Sequence, residues 1–331
     1  MRWRTSPPAA SARSARARTS PPTRWTTTSR SDRDAAPCRR RICIRACLFG
    51  SAGRGGSRVR RVLALLAAVI GFAGAAAQGV RDTIEPAAGM LDAILEEAGV
   101  EGAVLVRRLS DGAEWTGGGA RVDERFLPAS TFKIANTMIL LEAGVITDPE
   151  SEIIAWDGVE RGGGWDQDQT LRSAFRRSAY WAYSRLAGEA GHGHMARMVT
   201  LLGYGDEHVG GPDEVGTFWL EGPLSVTARE QVGFLQRLHA RVLPVEPAHM
   251  ETVIGFMEVE RGEDWVLRGK TGWGQPEGQP DIGWFVGWLE SESDTWLFAV
   301  NIDMTDPERH RSLREHIARS ALAAAGAPDT H

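Results

Sequence analysis

The segments that read as strands lie at the two ends of this chain's body, and nearly everything between them reads as helix or loop. Near the front, 102–108 and 113–116 flank Ser110-Asp111-Gly112, a turn signal. Near the back, 265–273, 282–290 and 295–303 are rich in aromatic and β-branched residues. Strands so far apart must meet to hide their unpaired edges. The pattern predicts an α+β fold: one antiparallel sheet of about five or more strands, built from both ends, covered by helices and flanked by an inserted helical lobe. Helices are expected at 86–98, with Met90, Leu91, Ile94 and Leu95 on one face, and at 130–143, stopped by Gly144. Thr227-Ala228-Arg229-Glu230 is a capping box that opens another, and 307–324 forms the last.

The charge is split along the chain. Of 38 Lys and Arg and 43 Asp and Glu, the first 61 residues hold sixteen Arg and two acids. The rest therefore carries 22 basic and 41 acidic residues, an excess of about nineteen negative charges. An acidic body argues against a nucleic-acid partner and against an anionic membrane surface. All three cysteines, Cys38, Cys43 and Cys47, lie in the basic head, so the body has neither disulfide nor Cys metal site. No suitably spaced His joins them, and no metal is expected.

Residues 1–57 are rich in Arg, Ser, Pro and Ala without apolar periodicity, and read as a disordered head. Residues 58–77 carry a basic run, an apolar stretch and a small-residue site near Ala75 to Ala77. They read as a secretory signal peptide, with an uncleaved anchor as the alternative. The expected product is periplasmic or secreted, with no stable membrane anchor after cleavage. Such segments sit at a protein's start, so the head suggests an over-early start assignment, with translation from Val59. Residues from before Val59 in the native protein would rule this out. The folded domain is expected at 78–331.

Within the body, every basic residue is Arg except Lys133 and Lys270. Under an Arg-rich coding bias, a surviving lysine points to a task arginine cannot perform. Guanidinium stays charged, whereas a buried amine can lose its proton and serve as a base or take up CO2. Chance survival of either lysine is the bland alternative. Spacing weighs against it. Lys133 follows Ser130 by three positions at a helix start, so both side chains share a face. Lys270 opens Lys270-Thr271-Gly272 on an expected strand, and Ser178-Ala179-Tyr180 lies between. Ser-x-x-Lys alone is weak, but followed by Lys-Thr-Gly about 140 residues later it is a strong signal.

This order resembles the penicillin-recognising serine enzymes, the β-lactamases and penicillin-binding proteins. Further stretches resemble class D β-lactamases, the oxacillinases: Tyr204-Gly205-Asp206, Phe218-Trp219-Leu220-Glu221-Gly222-Pro223-Leu224, Trp165-Asp166-Gln167-Asp168-Gln169-Thr170-Leu171 and Leu313-Arg314. The resemblance covers about residues 86–324 and implies the serine β-lactamase fold. It implies hydrolysis of small-molecule β-lactams through an acyl-enzyme on Ser130, with antibiotic resistance as the outcome, in a monomer or homodimer. Lys133, carbamylated by CO2, would be the general base, with no other cofactor. Trp219 would hold the carbamate, and Phe132 and Leu220 would line its pocket, although apolar packing explains those two equally. Ser178 would relay a proton to the leaving nitrogen. Lys270, Thr271, Gly272 and Arg314 would bind the substrate carboxylate. The Trp273 N–H would join that of Ser130 in the oxyanion hole. Arg311 and Arg319 share the helix with Arg314, whose spacing fits the family better. His192 and His194 lack a third ligand and are expected in a loop.

Two positions depart from the pattern. Tyr180 stands where the family carries a small β-branched residue, and could crowd the Lys133 carbamate or admit water. Asp206 replaces an asparagine, a smaller change in a turn. Two rivals remain at this stage: a penicillin-sensing domain that acylates without turnover, and a D,D-peptidase, whose Ser-x-Asn motif Ala179-Tyr180 does not supply.

Overall fold

A computed structural model describes residues 89–330. The head, the expected signal peptide and the first residues of the expected 86–98 helix lie outside the described residues. In chain order the elements are α1 (Met90–Ala98), β1 (Gly102–Arg108), β2 (Glu114–Gly117), α2 (Lys133–Glu142), α3 (Leu171–Arg177), α4 (Tyr180–Ala190), α5 (His192–Leu202), α6 (Ala228–His239), α7 (Pro247–Phe256), β3 (Glu258–Arg261), β4 (Trp265–Gly274), β5 (Ile282–Ser291), β6 (Thr295–Asp303) and α8 (Pro307–Ala324). Among the described residues, no helix is long and apolar enough to cross a membrane.

The six strands form one sheet in the order β2-β1-β6-β5-β4-β3, antiparallel at every pairing. The join between the chain's two ends is β1 against β6, where Leu105 faces Ala299 and Val104 faces Val300. Strand alternation sends these pairs to opposite faces. Val104, Val106, Phe285, Phe298 and Val300 pack with Leu91, Ile317, Ala321 and Leu322 of α1 and α8. Ala103, Leu105, Trp284, Val286, Trp288 and Leu297 pack with Ile134, Met138, Val232 and Leu235 of α2 and α6, and this core continues into the α3–α5 lobe. Lys270 pairs with Val286 and Gly272 with Trp284, so both belong to the face that meets α2.

The nucleophile turn is tighter than expected. Ala129–Phe132 forms a 3-10 turn, and the α-helix begins only at Lys133. Ala129, just before Ser130, is fully buried with φ 48°, a left-handed conformation that costs a non-glycine residue energy. The surroundings hold it there. The Ala129 N–H donates to the Trp219 carbonyl at 3.0 Å, and the Thr131 hydroxyl donates to the Pro128 carbonyl at 2.7 Å. β4 packs directly on this turn: a Cβ at Gly272 would come within 3.0 Å of both the Pro128 carbonyl oxygen and Thr131 Cγ2. Only glycine lets the strand approach so closely.

His192 and His194 occupy the first turn of α5 rather than a loop. Each ring is spent locally: His192 Nε2 lies 2.8 Å from the Gly210 carbonyl, and His194 Nε2 lies 3.2 Å from that of Ile139. Among the described residues, no group of His, Cys, Asp and Glu could hold a metal ion.

Candidate active site

Two lysine–serine pairs meet between the lobe and the sheet. Lys133 Nζ donates to Ser130 Oγ at 3.1 Å, the consequence of three-residue spacing across the start of α2. Lys270 Nζ, from β4, donates to Ser178 Oγ at 2.5 Å and to the Thr271 carbonyl at 2.9 Å. Ser178 terminates α3 with φ 56°, and its amide donates to the Phe175 carbonyl at 3.2 Å. The left-handed turn breaks α3 from α4 and leaves the hydroxyl half-buried beside Lys270. Ser130 is half-buried too, so an incoming carbonyl can reach it, whereas Lys133 is fully buried.

Burial alone pushes the Lys133 amine down to about 7. Lys270 is also held well below the ordinary lysine range, by burial first and then by the positive charges of Lys133 and Arg314; Glu315 opposes this. Arg314 is pushed to about 10 by burial, still charged at neutral pH. The hydrogen bonds of these three cations all go to neutral partners: Ser130, Ser178 and the carbonyls of Thr271, Arg311 and Gly272. The site is therefore short of negative charge and is built to receive anions.

The Lys133 shift has a consequence for stability. The unfolded amine keeps its ordinary value of 10.5, so between about 7 and 10.5 the unfolded chain binds a proton that the folded chain does not. Stability contributed at this position is least below pH 7 and rises through that window. In CO2-free buffer, Lys133→Met should raise the melting temperature at pH 6, by an amount on the order of several kcal/mol in stability. The gain should shrink as pH rises toward 10. A variant no more stable than the wild type at pH 6 would contradict the buried-charge penalty.

Arg314 is distinguished from its neighbours by contact. It donates to the Gly272 carbonyl within the Lys270-Thr271-Gly272 segment. Arg319 turns instead to Glu260 and the Thr330 carbonyl, and the Arg311 guanidinium lies 5.1 Å over the Trp273 ring. The Thr271 side chain is half-buried beside Gly272. Trp273 sends its indole to the α8 face, where Nε1 donates to Asp281 at 2.8 Å.

Behind the nucleophile lies an aromatic wall. Phe132 is fully buried, with ring centroids of Tyr204, Phe218 and Trp219 at 5.2, 5.3 and 5.4 Å. Leu220 is half-buried against the same core. Trp219 is completely buried, yet its Nε1–H has no partner. An unmatched buried donor costs about 1–3 kcal/mol, and such orphans in a native fold mark a missing acceptor.

Residues that sequence reasoning did not single out complete the site. The Lys133 ammonium stands 5.0 Å over the ring of Tyr183, which is fully buried and shares a 2.8 Å hydrogen bond with Thr137. Gln231 Nε2 donates to Thr131 Oγ1 at 2.7 Å, and the Tyr204 hydroxyl donates to Gln231 at 3.3 Å, so a buried chain braces the nucleophile turn. The chain has only three tyrosines, Tyr180, Tyr183 and Tyr204, and which of them meets Lys133 depends on how the helices cross rather than on spacing.

The two departures acquire local explanations. Asp206 accepts from the Ser225 amide and hydroxyl at 3.0 and 2.7 Å and from the His208 amide at 3.3 Å. That is acceptor work, which a carboxylate meets with both oxygens. The Tyr180 hydroxyl accepts from Arg161 Nε at 3.2 Å, and the ring meets Trp165 edge-on at 5.6 Å. The aromatic ring over Lys133 is that of Tyr183.

The chain is similar to known proteins in sequence and fold. A family model described as the penicillin binding protein transpeptidase domain matches residues 118–323. Beta-lactamase OXA-15 of Pseudomonas aeruginosa is 42% identical over 203 residues, covering 61% of this chain and 71% of that protein. Beta-lactamase OXA-2 of Salmonella typhimurium is 41% identical with the same coverage. Among solved structures, the class D β-lactamase YbXI from Nostoc is 39% identical with a TM-score of 0.69, covering 72% of this chain and 99% of that one. With the two lysine–serine pairs in place and relatives of this kind over nearly the whole described region, the chain belongs to the class D β-lactamases.

Proposed function

We propose that this chain hydrolyses β-lactam antibiotics through an acyl-enzyme on Ser130. The observation that carries the reading is Lys133: fully buried, 3.1 Å from Ser130 Oγ and held near neutrality by burial. The Ser130 hydroxyl gives up its proton toward Lys133 as its oxygen attacks the lactam carbonyl. The carbon–nitrogen bond of the ring breaks, and the leaving nitrogen takes a proton from the Ser178 hydroxyl. Ser178 is resupplied by Lys270, 2.5 Å away. Once the proton held by Lys133 has returned to Lys270, the neutral amine takes a proton from water as its oxygen attacks the ester, and gives that proton to Ser130 as the opened acid leaves. The substrate carboxylate is met by Lys270, Thr271 and Arg314, and the two cations spend their hydrogen bonds on neutral partners, with Glu315 the acid that acts on both through space. The oxyanion is received by the backbone amides of Ser130 and Trp273.

The residues around Lys133 fit a CO2-derived carbamate. Its amine is neutral in part at pH 7, its pocket wall is apolar, and Trp219 holds an unclaimed donor beside Phe132. Trp219 would hold that group, with Phe132 and Leu220 excluding water. When bound it supplies an anionic general base at neutral pH. Export rests on the basic and apolar run at 58–77, outside the described residues.

Steady-state kinetics on penicillins, cephalosporins and carbapenems, with and without bicarbonate, test the reading. Sustained turnover of nitrocefin is expected. A stoichiometric burst followed by no turnover would instead identify a penicillin sensor. Arg314→Ala should raise KM about tenfold with a smaller change in kcat, because a ground-state charge contact is lost. A change confined to kcat would remove Arg314 from substrate binding.

A further inference from the structure

The loop at 155–169 is held in a way that catalysis as described does not require. Its centre, Gly162-Gly163-Gly164, has φ of 75, 70 and 78° and offers no side chains to pack. Its conformation rests on flanking contacts. Arg161 bonds both oxygens of Asp157 at 2.8 and 2.6 Å, and its amide donates to Asp166 at 2.8 Å. Its guanidinium also lies 5.7 Å over Tyr180 and 5.9 Å over Trp181, while Nε reaches the Tyr180 hydroxyl. The far side of the loop closes on the same helix. Trp181 Nε1 donates to the Trp165 carbonyl at 3.1 Å, and the Trp165 ring meets Tyr180 edge-on. Trp165 Nε1 donates at 2.6 Å to the Arg177 carbonyl, the peptide that joins directly to Ser178.

These contacts form a closed path from Arg161 through Tyr180 and Trp165 to the backbone of Ser178. We propose that Tyr180 is a positioning residue: with Arg161 it latches the 155–169 loop so that Trp165 fixes the left-handed Ser178 beside Lys270. The assignment rests on the reading of Ser178 as proton relay, and it concerns a tyrosine where the family pattern has a small side chain. The strained Ser178 turn is secured locally by bonds from its own amide to the Phe175 carbonyl and from the Ala179 amide to the Ala174 carbonyl. The Trp165 bond adds a restraint from outside the helix, and a displacement of about 1 Å at a relay group is enough to slow a proton transfer severely.

The test uses the full chain with Arg161→Ala, Arg161→Lys and Tyr180→Phe. Acylation of Ser130 by a fluorescent penicillin is timed alone and in a Ser178→Ala background, and hydrogen exchange is followed across residues 155–180. Arg161→Ala should slow acylation about tenfold, Arg161→Lys should not rescue it, and Tyr180→Phe should fall between, keeping the ring stack but losing the hydroxyl. In the Ser178→Ala background Arg161→Ala should add almost nothing, since both changes disable one relay. Exchange at the Ser178 and Ala179 amides should rise in Arg161→Ala, but not in Arg172→Ala, which breaks the ion pair of Arg172 on α3 with Glu150 in the turn before it. Wild-type acylation with unchanged exchange, or losses that simply multiply with Ser178→Ala, would overturn the latch. Should Ser178→Ala itself acylate at the wild-type rate, the relay reading falls, and the exchange result alone still decides whether the latch restrains that turn.

Discussion

Replacing Lys133 with Arg is expected to abolish turnover, although the positive charge is kept. The variant should lose about 10⁴-fold in kcat, the upper range for removal of a general base. The reason lies in two properties of the site. Lys133 is fully buried and only desolvation lowers its proton affinity, so the amine is available as a base near neutral pH. A guanidinium in the same place stays charged, cannot accept the Ser130 proton and cannot add CO2. It is also larger than the amine it replaces, in a pocket whose neighbours Tyr183 and Phe132 are fully buried. Lys133→Met controls for that misfit, because it keeps the unbranched chain without the amine. Both variants should remain folded by circular dichroism and both should lack turnover of nitrocefin. If either keeps more than a tenth of wild-type kcat, the proton from Ser130 goes elsewhere.

The second large effect is conditional on CO2. In degassed buffer at pH 6, activity is expected to fall at least about tenfold and to return on adding bicarbonate. Above pH 8, degassing should matter little. The direction follows from the amine: below about 7 it is protonated and cannot hold CO2, whereas above that value the neutral form predominates. Trp219→Phe sharpens the test. Phenylalanine keeps the ring packing against Phe132 and Phe218 but deletes the unpartnered Nε1–H. A merely structural tryptophan would lose little by the change. As the holder of the carbamate, Trp219→Phe should lose about 10²-fold at pH 7, the scale for loss of one donor to a catalytic anion, and part of that loss should be recovered with bicarbonate. Equal activity of the two proteins at every bicarbonate level would remove Trp219 from this role.

Much of this architecture was legible because periodicity and punctuation agree in the sequence. The β5 and β6 segments carry unbroken apolar runs, and the Thr227 capping box sits where α6 begins. β3 escaped notice because Glu258-Val259-Glu260-Arg261 is almost wholly charged. It survives as an edge strand, with Glu258 facing Arg268 across the pairing. The sequence predicts α2 from Ser130, but tertiary contacts from Trp219 and β4 tighten Ala129–Phe132 into a 3-10 turn and the α-helix starts at Lys133. In the site, Ser130 and Lys133 are fixed by local spacing, which sequence displays directly. The spacing of Leu313-Arg314 already favours Arg314 over Arg311, and its bond to the Gly272 carbonyl agrees. Tyr183 and Gln231 depend on how separate elements cross, and no spacing rule reports that.

The central claim is that burial makes Lys133 a neutral amine beside Ser130, able to carry a carbamate. Nuclear magnetic resonance of the protein equilibrated with ¹³C-labelled bicarbonate tests it most directly. The account predicts one carbamate carbon per folded chain, growing in as pH rises through about 7, absent from Lys133→Arg and diminished in Trp219→Phe. A fully active enzyme showing no such signal at any pH would contradict it.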